Sequence, residues 1–121
     1  MEDKNLNGAA LAFLGDAVFE LLIRERIAAK NMPLKDLHKQ SVAFANASSQ
    51  SDAYNKIKDL LTEEELAVFK RGRNTKTSNI PKHSTVAEYH TATGLEALYG
   101  YLFINKQYDR LNKLMDIIFD K

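Results

Sequence analysis

Residues 11–20 read LAFLGDAVFE, and this run of apolar side chains around Gly15 and Asp16 is the strongest structural signal in the chain. Apolar side chains recur at helical spacing within it and just beyond it, at Leu11, Leu14, Val18, Leu21 and Leu22. Asn31 and Pro33 end the pattern, because the residue before a proline avoids the α region. The sequence therefore predicts a long helix from Asn7 to about Lys30.

Composition extends this helical reading to the whole chain. Leucine occurs 15 times and alanine 14 times, against four valines and two prolines, and no alternating strand pattern is bounded by Asn-Gly or Asp-Gly turns. Two capping boxes, Thr62 to Glu65 and Thr85 to Glu88, mark helix starts, and Gly72 is expected to close the helix that begins at the first. The further predicted helices cover about residues 34–44, 47–61, 62–72, 85–104 and 107–119, with a loop over residues 72–84. We expect an all-α fold.

Length, charge and cysteine content narrow the class of protein. The chain has 121 residues, which fits one domain, and its net charge of +1 predicts no partner by itself. The absence of cysteine excludes a disulfide scaffold, a thiol nucleophile and a cysteine-ligated zinc site. No segment approaches the roughly 20 apolar residues of a membrane span, and no signal peptide follows the N-terminus. We therefore expect a soluble cytoplasmic protein with no membrane partner.

A local charge asymmetry lies behind the small net charge. Residues 70–90 carry five lysines and arginines against the single acid Glu88. A basic segment that also contains asparagine and serine is a reasonable docking site for a polyanion. The candidate contacts are Arg71, Arg73, Asn74, Lys76 and Lys82. The alternative interpretation is a solvated loop whose charges keep the protein soluble.

Two acids stand among small residues in otherwise apolar helices. Asp16 follows Gly15, and the residues four and seven positions earlier on its helix face are Ala12 and Ala9. Glu96 repeats this arrangement in a segment that also contains Gly100. Small side chains would let two such helices cross closely and leave space beside the carboxylates for a hydrated ion.

Such a pair of carboxylates suits Mg²⁺, which prefers oxygen ligands and commonly takes one or two protein carboxylates, waters and substrate phosphate oxygens. An ion held there could activate a water beside a phosphodiester and neutralise charge on the phosphate. The alternative interpretation is structural: Asp16 would pair with Arg24 or Arg26, and Glu96 would be a partly buried polar residue.

Five segments, in this order, resemble the ribonuclease III family and most closely its short bacterial Mini-ribonuclease III branch. They are residues 11–20, 36–38 (DLH), 71–74 (RGRN), 91–94 (TATG) and 96–102 (EALYGYL). The larger enzymes of the family carry further acids where this chain has Ala9, Ala12 and Thr93, a loss that the short branch shares. Only Asp16 and Glu96 therefore match the family's catalytic and metal-binding acids, which leaves the number of ions in each site open.

The resemblance implies a dimeric ribonuclease III-like endonuclease domain of about six or seven helices over residues 1–121, with no separate double-stranded-RNA-binding domain. It implies Mg²⁺-dependent hydrolysis of double-stranded RNA, with Mn²⁺ as an alternative ion, that leaves 5′-phosphate and 3′-hydroxyl ends. The implied substrate is the precursor of large-subunit (23S) ribosomal RNA, with a large-subunit ribosomal protein or particle as a possible accessory partner.

Two non-enzymatic hypotheses remain open from the residues. The missing acids at Ala9, Ala12 and Thr93 are compatible with an RNA-binding or ribosome-assembly module on the same helical scaffold. In a further alternative, Asp16 and Glu96 are salt-bridge partners in a helical protein-interaction domain.

Overall fold

The computed structural model describes residues 6–75 and 85–120. Within those ranges it contains six α-helices and no strand, which confirms the all-α prediction. The helices are α1 (Gly8–Ala28), α2 (Leu34–Ala45), α3 (Ala47–Ile57), α4 (Glu63–Arg73), α5 (Val86–Ile104) and α6 (Tyr108–Phe119), and a 3₁₀ turn, Lys58–Leu60, follows α3. No described helix is both long enough and apolar enough to cross a bilayer.

Local capping determines most helix boundaries. The Asn7 side chain accepts a hydrogen bond of 2.8 Å from the backbone N–H of Ala10, and thereby starts α1 where the sequence predicts. Both predicted capping boxes are present, at Thr62 and at Thr85. After α1 the backbone turns at Asn31, whose φ of 56° lies in the left-handed region that asparagine tolerates.

The prediction that Gly72 closes α4 is wrong, because the helix continues to Arg73. A Cβ at Gly72 would lie 2.5 Å from the Cβ of Ala97 and 3.0 Å from the Cα of Gly94, both on α5. The glycine therefore serves close helix packing instead of a helix stop. This contact fixes the basic end of α4 against the middle of α5.

Helix α5 lies at the centre of the fold, and α1, α3, α4 and α6 all contact it. Its middle is buried on every side, as the unbroken run of buried residues 97–102 shows. Helix α6 closes the core with its buried face of Leu111, Leu114, Met115 and Ile118, as the sequence predicts. Helix α2 has no fully buried residue and packs mainly on α1, so the α1–α2 groove borders solvent.

Candidate active site

The two acidic helices cross with their backbones in contact. A Cβ at Gly15 of α1 would lie 1.6 Å from the backbone oxygen of Glu96, and a Cβ at Gly100 of α5 would lie 2.2 Å from the backbone oxygen of Leu11. No side chain other than hydrogen fits at either position. The two glycines therefore permit a crossing that brings the α1 turn carrying Asp16 against the α5 turn carrying Glu96.

The carboxyl groups of Asp16 and Glu96 meet at this crossing. The pKa of Glu96 is raised to about 8, first by burial, then by the negative charge of Asp16 and by a hydrogen bond between the two side chains. Asp16 is exposed, whereas Glu96 is partly buried. At neutral pH the cation-free pair therefore holds a proton on Glu96 next to the Asp16 carboxylate.

The structural alternative for Asp16 does not hold in the described part of the chain. Arg24 pairs with Glu20 at 2.6 Å, and Arg26 pairs with Asp116 at 2.7 Å. Neither arginine forms an ion pair with Asp16 within residues 6–75 and 85–120. Two acids that face each other with no neutralising side chain among the described residues form a local negative site, which favours a cation.

The donor set fits a hard divalent ion that keeps several waters. No cluster of three or more His, Cys, Asp or Glu side chains suited to a metal occurs among the described residues. Two carboxylates are nevertheless the number of protein ligands that Mg²⁺ commonly takes when phosphate oxygens and water complete its shell. The pair is therefore compatible with an open metal site that accepts substrate oxygens.

A buried tyrosine lies near Glu96. The Tyr99 ring stacks on Phe19 with centroids 5.0 Å apart, and its hydroxyl has no hydrogen-bond partner among the described residues. Its pKa is raised well above the usual range, first by burial and then by the charge of Glu96. Tyr99 therefore stays neutral and adds no charge beside Glu96.

The basic segment begins close to the acid pair. Gly72 packs against Thr93 and Ala97, which flank Glu96 on α5. The end of α4 that carries Arg71 and Arg73 therefore lies against the part of α5 that carries Glu96. Arg71 donates a 2.7 Å hydrogen bond to the backbone oxygen of Leu6 and ties α4 to the chain entering α1.

The structure describes only some of the remaining predicted RNA contacts. The Arg73 guanidinium lies 5.9 Å from the centroid of the Phe69 ring and donates a 3.4 Å hydrogen bond to the Asn74 side chain. Arg71, Arg73 and Asn74 are all exposed. Lys76 and Lys82, which complete the predicted basic surface, lie outside the described residues.

Sequence reasoning missed a cleft that opens next to Asp16. Its volume is about 140 Å³, and it is bounded by α1, α2 and the first turn of α3. Its walls include Asp16, Glu20, Arg24, His38 and Gln50. The residues around Gln50 read as a helix start, and nothing local shows which of these polar side chains turns inward.

Known proteins are similar to this chain over most of its length, in sequence and in structure. Residues 9–107 match the model of the Ribonuclease III domain. A protein of Thermoanaerobacter called Mini-ribonuclease 3 is 43% identical over 114 residues, which are 93% of this chain and 80% of the relative. The Mini-ribonuclease 3 of Streptococcus pneumoniae is 39% identical over 119 residues, 95% of this chain and 93% of the relative. A crystal structure of a Fusobacterium nucleatum protein superposes with a TM-score of 0.89 at 38% identity, and covers 98% of this chain and 96% of the other.

Proposed function

The chain belongs to the ribonuclease III family of endoribonucleases, and we propose that it cuts double-stranded RNA in a reaction that depends on Mg²⁺ held by Asp16 and Glu96. The single observation that carries this proposal is the meeting of the two carboxyl groups at the α1–α5 crossing, where neither acid forms an ion pair with a cationic side chain in the described part of the chain. Mn²⁺, which accepts the same oxygen ligands, is the expected alternative ion.

The two acids have different tasks in this proposal. The exposed Asp16 carboxylate offers oxygen ligands toward solvent, where an RNA phosphate arrives. Glu96 is protonated in the cation-free protein and loses its proton when a cation binds, so cation binding releases protons and strengthens as the pH rises toward 8. When bound, Mg²⁺ supplies a Lewis acid that activates a water and neutralises charge on the phosphate. Hydrolysis of this type leaves 5′-phosphate and 3′-hydroxyl ends.

Affinity for RNA comes in this proposal from the basic end of α4 and the segment after it. Arg71, Arg73, Lys76 and Lys82 contact phosphates, and Asn74 contacts a phosphate or a sugar. A-form RNA presents its phosphates and 2′-hydroxyls across a wide minor groove, so contacts of this kind position a duplex with little reading of bases. Residues 1–121 act together as one catalytic unit.

We further propose a homodimer in which each subunit cuts one strand of the duplex. Phe13 is 86% exposed and Leu21 is 62% exposed, both on α1, and large apolar side chains left on a surface are suited to a subunit contact. The proposed substrate is a precursor of large-subunit ribosomal RNA, with a large-subunit ribosomal protein or particle as accessory partner. This substrate places the enzyme in the cytoplasm.

The second candidate function is an RNA-binding or ribosome-assembly module that does not cut. Ala9, Ala12 and Thr93 favour it, because they stand where larger relatives carry acids. Incubation of the purified protein with duplex RNA, with Mg²⁺ or with EDTA, separates the two functions. Products that appear only with the ion support the enzyme, whereas an RNA band that shifts without cleavage in either buffer supports the binder.

A further inference from the structure

The cleft beside Asp16 is lined by apolar side chains and by polar side chains from three helices. Asp16 stands at one end of its α1 wall, and Arg24 stands two helical turns further along, a rise of about 12 Å. His38 faces it from α2, and Gln50 reaches it from the first turn of α3. The cleft therefore runs away from the proposed reaction centre and can receive a part of the substrate next to the bond that is cut.

Gln50 is the unusual residue of this cleft. It is 2% exposed, and its side-chain oxygen has no hydrogen-bond partner among the residues that the structure describes. A buried acceptor left unpaired costs free energy, so such a group calls for a donor supplied from elsewhere. Because Gln50 lines the cleft, a ligand lying in the cleft can supply that donor.

The other polar groups of the cleft indicate what kind of ligand carries the donor. Arg24 and His38 both donate hydrogen bonds and suit a phosphate. The ion pair of Arg24 with Glu20 is more than half exposed on both sides, and such a pair contributes little, so Arg24 can turn to a phosphate at small cost. A hydroxyl donor near a phosphate is the chemistry of a ribonucleotide.

We propose that Gln50 is a positioning residue whose side-chain amide hydrogen-bonds the ribose 2′-hydroxyl of a nucleotide adjacent to the scissile phosphate. This inference rests on the proposed function, because it assumes that the scissile phosphate lies at Asp16. A 2′-hydroxyl both donates and accepts, so it satisfies the amide in either of its two flip orientations. The same group distinguishes RNA from DNA, and Gln50 therefore contributes to the preference for RNA.

The test combines protein variants with single-atom changes in the RNA. Duplexes carry one 2′-deoxy nucleotide at each position within two residues of the cut, and kcat/KM is measured for the wild-type protein, Gln50→Met and the matched control Asn55→Met, an exposed amide on α3. We expect one position at which 2′-deoxy slows the wild type about tenfold, the loss of one hydrogen bond. Gln50→Met should be slower by about the same factor on all-RNA duplex and indifferent to 2′-deoxy at that position, whereas the control should behave as wild type.

Equal sensitivity of Gln50→Met and wild type at every position would overturn the inference and leave the proposed function intact. A wild-type protein that cuts no duplex RNA at all would remove the proposed function and this inference together. If Gln50→Met does not fold, the wild type alone can still overturn the inference through 2′-fluoro nucleotides, which do not donate a hydrogen bond. The inference requires one position where the 2′ group affects cleavage, and it fails if neither 2′-deoxy nor 2′-fluoro changes the rate at any position.

Discussion

Replacement of Glu96 by glutamine should stabilise the cation-free protein at high pH. Burial and the neighbouring Asp16 raise the pKa of Glu96 to about 8. Above this pH the wild-type protein must hold two carboxylates against each other. Glutamine keeps the shape of glutamate but cannot ionise, so Glu96→Gln avoids that repulsion.

The sign and the size of this difference in stability follow from proton linkage. Between the ordinary value of 4.5 and about 8, the folded protein keeps a proton on Glu96 that the unfolded chain has released. The stability of the wild type therefore falls as the pH rises through this window, and the loss is complete above it. At about 1.4 kcal/mol for each pH unit, the interval sets a ceiling of about 5 kcal/mol. Because Glu96 is only partly buried, solvent screening reduces the expected difference to about 2–3 kcal/mol.

The assay is urea unfolding in EDTA at pH 5, 7 and 9, with Glu25→Gln, an exposed acid of α1, as the matched control. The free energy of unfolding of Glu96→Gln minus that of wild type should be smallest at pH 5 and should reach about 2–3 kcal/mol at pH 9. The control should show no such trend. A difference that is the same at all three pH values would refute the reasoning, because it would mean that Glu96 is not buried beside a second carboxylate. Excess Mg²⁺ should narrow the difference, since it stabilises only the protein with both ligands.

Three further substitutions test the site, its RNA surface and the helix crossing. Asp16→Asn should abolish cleavage of duplex RNA and leave the fold and the subunit stoichiometry intact, and retained cleavage would remove Asp16 from the mechanism. Arg73→Ala should raise the RNA concentration needed for half-maximal binding and lower the slope of log affinity against log salt concentration by about one. An unchanged slope would mean that the RNA docks elsewhere on the protein. Gly15→Ala should lower the free energy of unfolding in urea by at least about 1–3 kcal/mol, because the new Cβ would lie 1.6 Å from the backbone oxygen of Glu96. A variant as stable as the wild type would show that the helices do not cross so closely.

Features encoded within a few residues could be predicted from the sequence. Each capping box joins residues three apart, so the boxes at Thr62 and Thr85 predict the starts of α4 and α5 without tertiary information. Gly72 misled the prediction for the same reason. Its local meaning is a helix stop, but its actual neighbours are Gly94 and Ala97 on α5, and only packing reveals them.

The candidate site also contains residues that the sequence could predict and residues that it could not. Small residues around Asp16 and Glu96 predicted a close crossing, and the structure brings the two carboxyl groups together there. Gln50 could not be found in this way, because the choice of which polar side chain of α3 turns inward depends on how α3 packs on α5. The catalytic roles of the two acids stay a prediction.

Location of the bound ion tests the central claim most directly. Crystals of the protein soaked with Mn²⁺ and measured at the manganese absorption edge reveal the ion by its anomalous scattering. We predict one strong peak between the carboxylates of Asp16 and Glu96, and its loss in Asp16→Asn. A cleavage-competent protein whose only manganese peak lies away from both acids would contradict the account.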